Sequence, residues 1–290
     1  MPELPEVETV VRGLNKLIVG KKISSVFSDN PKSFPVDTHD RKSYIIGSKI
    51  LHVSRRAKII IIDLCSGYSL VGHLKMTGQM IYRGNINWGA GHPNDSLVNE
   101  LPDKSTRIIF EFTDGTKLFF NDQRKFGWIK LFETSSVKHL PNITKLGPEP
   151  LENEFTEKLF INNVLRRKNS NIKAVLLDQT VVSGIGNIYA DEVLFASKIH
   201  PESRVIDIPS AKLKVLRKNI VKTLQMSIDK GGSTSKNYVN AEGKRGSYLD
   251  FANVYARAGL DCNICGTEIC KIKVAGRGTH VCTKCQRKYP

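Results

Sequence analysis

The second residue of the chain is a proline followed by a glutamate, in the opening Met1-Pro2-Glu3-Leu4-Pro5-Glu6. If Met1 is removed, Pro2 becomes a free secondary amine beside two carboxylates. An α-amino group titrates near pH ~7.7–8.0, so roughly a tenth is unprotonated at neutral pH, far more than of a lysine. Such an amine can attack a sugar's anomeric carbon, expel a base and collapse to an iminium ion, the covalent logic of a lysine Schiff base. Glu3 lies next to it and could carry the proton. The plainer reading is that Pro2 and Pro5 only begin a helix whose N-terminal dipole favours glutamate.

A second group of reactive residues closes the chain. Cys262-x2-Cys265 is followed after sixteen residues by Cys282-x2-Cys285. This spacing is that of a tetrahedral thiolate Zn²⁺ site, with no open position and therefore structural. The intervening hairpin carries Lys271, Lys273, Arg277 and His280, so it reads as a small basic finger. Cys65 and Cys270 fall outside the pairs. Gly184-Ile185-Gly186-Asn187 sets a glycine turn before a helix start, where free N–H groups suit a phosphate oxygen, with Asn187 as the expected cap. His73 to Gly78 and Asn121 to Gly127 each end a strand in a polar turn holding one large apolar side chain, Met76 or Phe126. Side chains of that kind, surrounded by cations such as Arg124, open base stacks in DNA, although core roles are also open to them.

These residues need elements to hold them. Val7, Val10, Val11, Leu14, Leu17 and Ile18 recur at spacings of three and four before Gly20, which predicts an amphipathic helix over 6–18 with Pro2 at its mouth. Short β-rich runs follow at 23–27, 44–53, 59–64, 69–74, 108–112, 117–120 and 128–132, with turns at Ser66-Gly67 and Asp114-Gly115. They predict an antiparallel sandwich. The stretch 84–105, rich in Asn, Gly and Pro, reads as a long loop. After Pro150 the pattern turns helical, over 155–165, 174–181, 188–197 and 211–229.

The chain has 290 residues and a net charge of +16, with both halves basic. That length admits two domains, and the charge points to a polyanion partner. No run approaches about 18 uninterrupted apolar residues, so no membrane helix is expected. The acidic start does not read as a signal peptide. A cytoplasmic, nucleoid-associated protein is the expectation.

Taken together, Pro2 to Glu8, the Arg55-Arg56-Ala57-Lys58 turn, His73 to Gly78, Arg124 to Gly127, Leu146 to Leu151, Val182 to Pro201, Gly231 to Thr234, Gly276 to Thr279 and the four-cysteine ending resemble one family over essentially the whole chain. That family is formamidopyrimidine-DNA glycosylase. The resemblance implies an α+β multidomain fold: an N-terminal antiparallel β-sandwich with a flanking helix (2–150), a helix–two-turn–helix domain (151–232), and a base-covering loop with the zinc finger (233–290). It implies a monomeric base-excision-repair enzyme, without organic cofactor, that removes oxidised purines (8-oxoguanine, formamidopyrimidines) from double-stranded DNA and cleaves the strand as an AP lyase. Carried over by position, Pro2 is the nucleophile, Glu3 the proton donor, Lys58 the lysine of β-elimination and Arg277 the arginine of δ-elimination. Met76, Arg124 and Phe126 fill the gap left by the flipped nucleotide, and Asn187 and Lys168 contact phosphate. Two departures stand out: Gln123 replaces a proline of the family's wedge loop, and Arg107 replaces a DNA-contacting histidine. The alternatives are an endonuclease VIII-like enzyme for oxidised pyrimidines and a catalytically silent DNA-binding zinc protein.

Overall fold

A computed structural model describes residues 1–92, 94–232 and 248–290. The stretch 233–247, expected to cover a flipped base, lies outside the described residues. The chain divides into two compact units, Met1–Thr144 with Lys230–Ser247, and Lys145–Asp229 with Tyr248–Pro290.

The first unit begins with helix α1 (Leu4–Ile18), whose Val7, Val10, Leu14 and Ile18 are buried at the predicted spacing. A capping box closes its start: the Glu3 side chain accepts from the Glu6 backbone, and the Glu3 N–H donates to Glu6 Oε2 at 2.8 Å. Strand β1 (Ile23–Ser28) leads to a short helix α2 (Thr38–Asp40) and a π-turn over Arg41–Ile45. Thereafter β2 (Ile50–Arg56), β3 (Ile59–Leu64), β4 (Tyr68–His73), β5 (Gly78–Arg83), β6 (Asn87–Gly91), β7 (Thr106–Phe112), β8 (Lys117–Asp122) and β9 (Trp128–Glu133) precede helix α3 (Pro141–Thr144). The strands form two antiparallel sheets, ordered β1-β7-β8-β5-β6 and β2-β3-β4-β9. Ile60, Ile62 and Leu70 of one sheet and Met80, Phe110 and Phe120 of the other share one core with α1, which is the expected sandwich.

Two sequence expectations need correction here. Residues 44–49 are not the start of a strand: Tyr44 and Ile45 belong to the π-turn, Ile46 ends it, and β2 begins only at Ile50. The stretch 84–105 is not only a loop, because it contains β6, and β5 runs just before it. The strand Asn-Trp-Gly-Ala-Gly lacks the β-branched residues that signal strands, and it forms for a packing reason. Trp88 lies against Gly13 of α1, where an added Cβ would stand 2.6 Å from the indole Cε2. Gly91, at φ +124°, passes so close to β5 that a Cβ would meet the Gln79 Cα at 2.8 Å. Tertiary contact thus overrides local propensity.

The second unit holds α4 (Glu157–Leu165), α5 (Ile172–Leu177), α6 (Asn187–Ala196) and α7 (Ser210–Asp229) around Phe160, Val175, Tyr189, Leu194, Leu216 and Leu224. Helix α5 starts two residues earlier than its apolar pattern, because Asn171 caps it through a bond from the Ala174 N–H at 3.0 Å. A two-stranded hairpin, β10 (Cys270–Val274) and β11 (Arg277–Val281), turns at Ala275 and Gly276, both at positive φ. Among the described residues no helix is long and apolar enough to cross a membrane.

Candidate active site and nucleic-acid interface

The capping box that starts α1 buries Glu3 and Glu6 together with Pro2, and the β2–β3 turn brings Lys58 to the same place. Ala57 takes φ 53° in that turn, and Lys58 is buried instead of extended into solvent. The N-terminal amine, here that of Met1, feels all three side chains: burial lowers its pKa most, Glu3 and Glu6 raise it, and Lys58 lowers it. An amine, two carboxylates and a lysine thus converge where the sequence expectation puts Pro2, Glu3 and Lys58. Gly232, at φ +89°, packs on Glu6 so closely that a Cβ would lie 3.3 Å from Glu6 Oε1.

Two histidines border this cluster. Burial pushes the His73 pKa down to about 3, with Lys75 and Lys58 adding to the effect, and its Nδ1 accepts from the Lys75 N–H at 2.9 Å. A ring that accepts there is neutral at that nitrogen. His92 follows β6; its pKa is lowered by burial and then by the N-terminal amine, against the pull of Asp122. Neither was singled out by a sequence signal for a role at the amine. His92 comes directly after β6, in the stretch that sequence reads as loop.

Met76 and Phe126 are 41% and 55% exposed, although each is a large apolar side chain. They occupy neighbouring turns, after β4 and after β8, and the Arg124 guanidinium lies 5.0 Å from the Phe126 ring centroid. The turns are joined by Asp122: Thr77 Oγ1 donates to Asp122 Oδ1, and Gly127 N donates to Oδ2 at 2.6 Å. Arg107, expected to reach outward, is turned inward. It is 4% exposed, and its guanidinium donates to the carbonyl of Asp122 at 3.1 Å, to Asp29 at 2.5 Å and to the carbonyl of Lys104.

In the second unit the glycine turn and the finger meet. Gly186, not Asn187, is the N-cap of α6; Asn187 is the first helical residue. Its Nδ2 donates to the Gly278 carbonyl at 3.0 Å, and its Oδ1 has no hydrogen-bond partner among the described residues. Arg277 is exposed at the start of β11, next to that contact, while Lys168 is exposed in the turn after α4. The docking rests on residues that sequence reading missed. Lys173, fully buried, donates to Asp191 Oδ1 at 2.6 Å and to Thr279 Oγ1 at 2.7 Å. The other oxygen of Asp191 accepts from the His280 N–H at 2.9 Å. Glu192 accepts the backbone N–H groups of Asn253, Val254 and Tyr255. Charged residues in a helix that is otherwise apolar were the available signal.

The four cysteine Sγ atoms all lie within 4.8 Å of one another, with Cys262–Cys285 at 3.9 Å and Cys265–Cys282 at 3.5 Å. Zn–S bonds of about 2.3 Å in a tetrahedron require sulfur separations of about 3.8 Å, so the set fits one zinc ion with every position filled by protein. The metal is structural.

A sandwich with a buried amine–carboxylate cluster, a helical unit and a thiolate zinc ribbon together define a multidomain zinc-ribbon protein with a candidate amine nucleophile. Comparison with known proteins makes this specific. Residues 1–129 match the formamidopyrimidine-DNA glycosylase N-terminal domain, 146–239 its H2TH domain, and 259–287 the zinc finger found in FPG and IleRS. The formamidopyrimidine-DNA glycosylase of Ligilactobacillus salivarius is 41% identical over 286 residues, 99% of each chain. That of Lactobacillus acidophilus is 41% identical over the whole of both chains. A Lactococcus lactis enzyme of this name, solved in complex with DNA containing an abasic site, has a TM-score of 0.87 at 38% identity, covering 99% of this chain and all of that one. The chain belongs to the formamidopyrimidine-DNA glycosylase family.

Proposed function

We propose that the chain excises oxidised purines, 8-oxoguanine and formamidopyrimidines, from double-stranded DNA through an amine at Pro2, and then cleaves the strand by β,δ-elimination. The observation that carries this reading is the buried cluster of amine, Glu3, Glu6 and Lys58 at the start of α1. After removal of Met1, Pro2 supplies the nitrogen that attacks the anomeric carbon. The C–N glycosidic bond breaks, the base leaves with its bonding electrons, and Glu3 donates a proton as the sugar ring opens to the iminium. The iminium acidifies the neighbouring sugar proton. Lys58 removes it for β-elimination, and Arg277 assists the second elimination.

A base inside a duplex cannot reach an amine, so the nucleotide must be flipped, at a cost of a few kcal/mol. Met76 and Phe126 offset that cost by filling the gap in the stack, with Arg124 beside Phe126 to face the unpaired partner base. Asn187 with the α6 N-terminus, and Lys168, hold phosphates on the flipped strand. The buried guanidinium of Arg107 supports the wedge loop from behind; its carry-over as a direct DNA contact gains nothing from this geometry. The zinc holds the finger that presents Arg277. The working division is a catalytic sandwich (2–150), a helix–two-turn–helix domain (151–232) and a base-covering loop with the finger (233–290), acting as a monomer in the cytoplasm on the nucleoid.

A Lactococcus lactis relative was solved with Fapy-dG-containing DNA, and another structure of that enzyme holds DNA with an oxidised pyrimidine. The second observation keeps oxidised pyrimidines as the competing substrate class. Excision rates on matched duplexes carrying 8-oxoguanine opposite cytosine or thymine glycol opposite adenine separate the two. A faster reaction on thymine glycol would overturn the purine reading.

A further inference from the structure

We infer that Asp122 is a positioning residue for base flipping: its buried carboxylate joins the Met76 turn and the Phe126 loop so that the two wedges enter the duplex as one body. The inference rests on the proposed wedge role of those two side chains. Asp122 is the last residue of β8, paired with Gly78 of β5, and is completely buried. Its carboxylate spans both turns. Oδ1 accepts from the Thr77 hydroxyl, which itself accepts from the Arg124 N–H at 3.0 Å, and the same N–H reaches Oδ1 at 3.3 Å. Oδ2 accepts from the Gly127 N–H at 2.6 Å. Its backbone is anchored as well: the N–H donates to Ser105 at 2.7 Å, and the carbonyl accepts Arg107 Nε at 3.1 Å.

The wedges sit one residue from these contacts, Met76 before Thr77 and Phe126 before Gly127. Glycine is needed at 127, because a Cβ there would stand 2.7 Å from the Phe120 ring and 3.1 Å from Asp122 Oδ2. A proline at 123 would fix φ and stiffen the loop covalently. This chain has Gln123 there, so hydrogen bonds to Asp122 hold the loop's shape. Asparagine at 122 would keep the volume but turn one acceptor into a donor facing an N–H or O–H donor, leaving buried groups unsatisfied.

The test is a double-mutant cycle of Met76→Ala and Phe126→Ala, measured as single-turnover excision of 8-oxoguanine from duplex DNA, in the wild type and in Asp122→Asn. In the wild type the double variant is expected to be little slower than the slower single one, since each wedge works only with the other. Asp122→Asn alone slows excision about tenfold or more, and on that background the two wedge effects multiply. Cleavage at a preformed abasic site in single-stranded DNA, which needs no duplex opening, falls much less. Thermal melting checks that Asp122→Asn is folded. Thr77→Val reproduces the uncoupling from the other side of the contact, and Thr77→Ser restores it. If each wedge substitution slows the wild type but their effects multiply there too, the pin is overturned and the wedge reading survives. If neither substitution slows the wild type, the wedge reading is lost and the pin with it.

Discussion

His73 lies beside Lys58 and Lys75, partly buried at the end of β4, and its pKa falls to about 3. In the unfolded chain it titrates near 6.5. Below that value the unfolded state binds a proton that the folded state refuses. The contribution is therefore fully present above about pH 6.5 and is lost as pH falls toward 3, at ~1.4 kcal/mol per pH unit. His73→Asn should flatten this acid limb in melting curves recorded from pH 7 to 4; an unchanged limb would assign it to other groups. The N-terminal amine carries a second prediction. Burial lowers the pKa of the Met1 amine, and Pro2 is itself buried at the same helix start, so trapping by an amine at Pro2 should rise with pH to a midpoint below the usual α-amino value of about 8. A midpoint at or above 8 would show an amine open to water. Pro2, Glu3 and the cysteines were legible in the sequence because their chemistry is unusual for their positions. Asp122 and His92 were not, because a carboxylate becomes a pin, and an imidazole a neighbour of the amine, only when strands distant in sequence pair.

Helix α1 and strand β6 meet at Gly13, where Trp88 occupies the space of a side chain. Alanine is the better helix former, so propensity alone says that Gly13→Ala stabilises. Packing says the opposite, because the methyl would overlap the indole, and overpacking of this kind costs about 1–3 kcal/mol. Urea unfolding should show the loss; a gain in stability would mean that the indole moves freely. Helices α5 and α6 make a parallel case. Lys173 and Asp191 are both fully buried, so Asp191→Asn strands an ammonium and should destabilise the second unit by about 3–5 kcal/mol. Calorimetry that finds no such loss would mean that Thr279 and Gly278 suffice for the charge. Helices α1, α4 and α7 were legible from their apolar patterns, and most strands from β-rich runs between turn residues. Residues 44–49 and β6 were not, since a π-turn shares its apolar residues with a strand, and a glycine-rich strand owes its existence to what packs on it.

Across the whole molecule the charge of +16 and the zinc ribbon belong to one function. Binding to duplex DNA should weaken linearly in log affinity as log salt rises, because lysines and arginines displace counterions. Cys282→Ser removes one of four ligands and should lose both the zinc and most of the DNA affinity; a metal assay and a binding titration read these separately. Retained metal with normal affinity would contradict the finger's role. The change from strands to helices and the four-cysteine ending were legible because composition changes along the chain. How Lys173, Asp191 and Glu192 dock the finger was not: charges in otherwise apolar helices mark them as unusual, but their partners at Thr279, His280 and Asn253–Tyr255 lie about sixty to a hundred residues away. The account stands most directly on the amine at Pro2. Borohydride trapping on a duplex with one 8-oxoguanine opposite cytosine, using wild type, Pro2→Gly and Glu3→Gln, tests it. A covalent adduct that maps to Pro2 in the wild type, and is lost in Pro2→Gly, is the predicted result. An adduct that maps elsewhere, or no adduct from protein shown to lack Met1 and to bind the duplex, would contradict it.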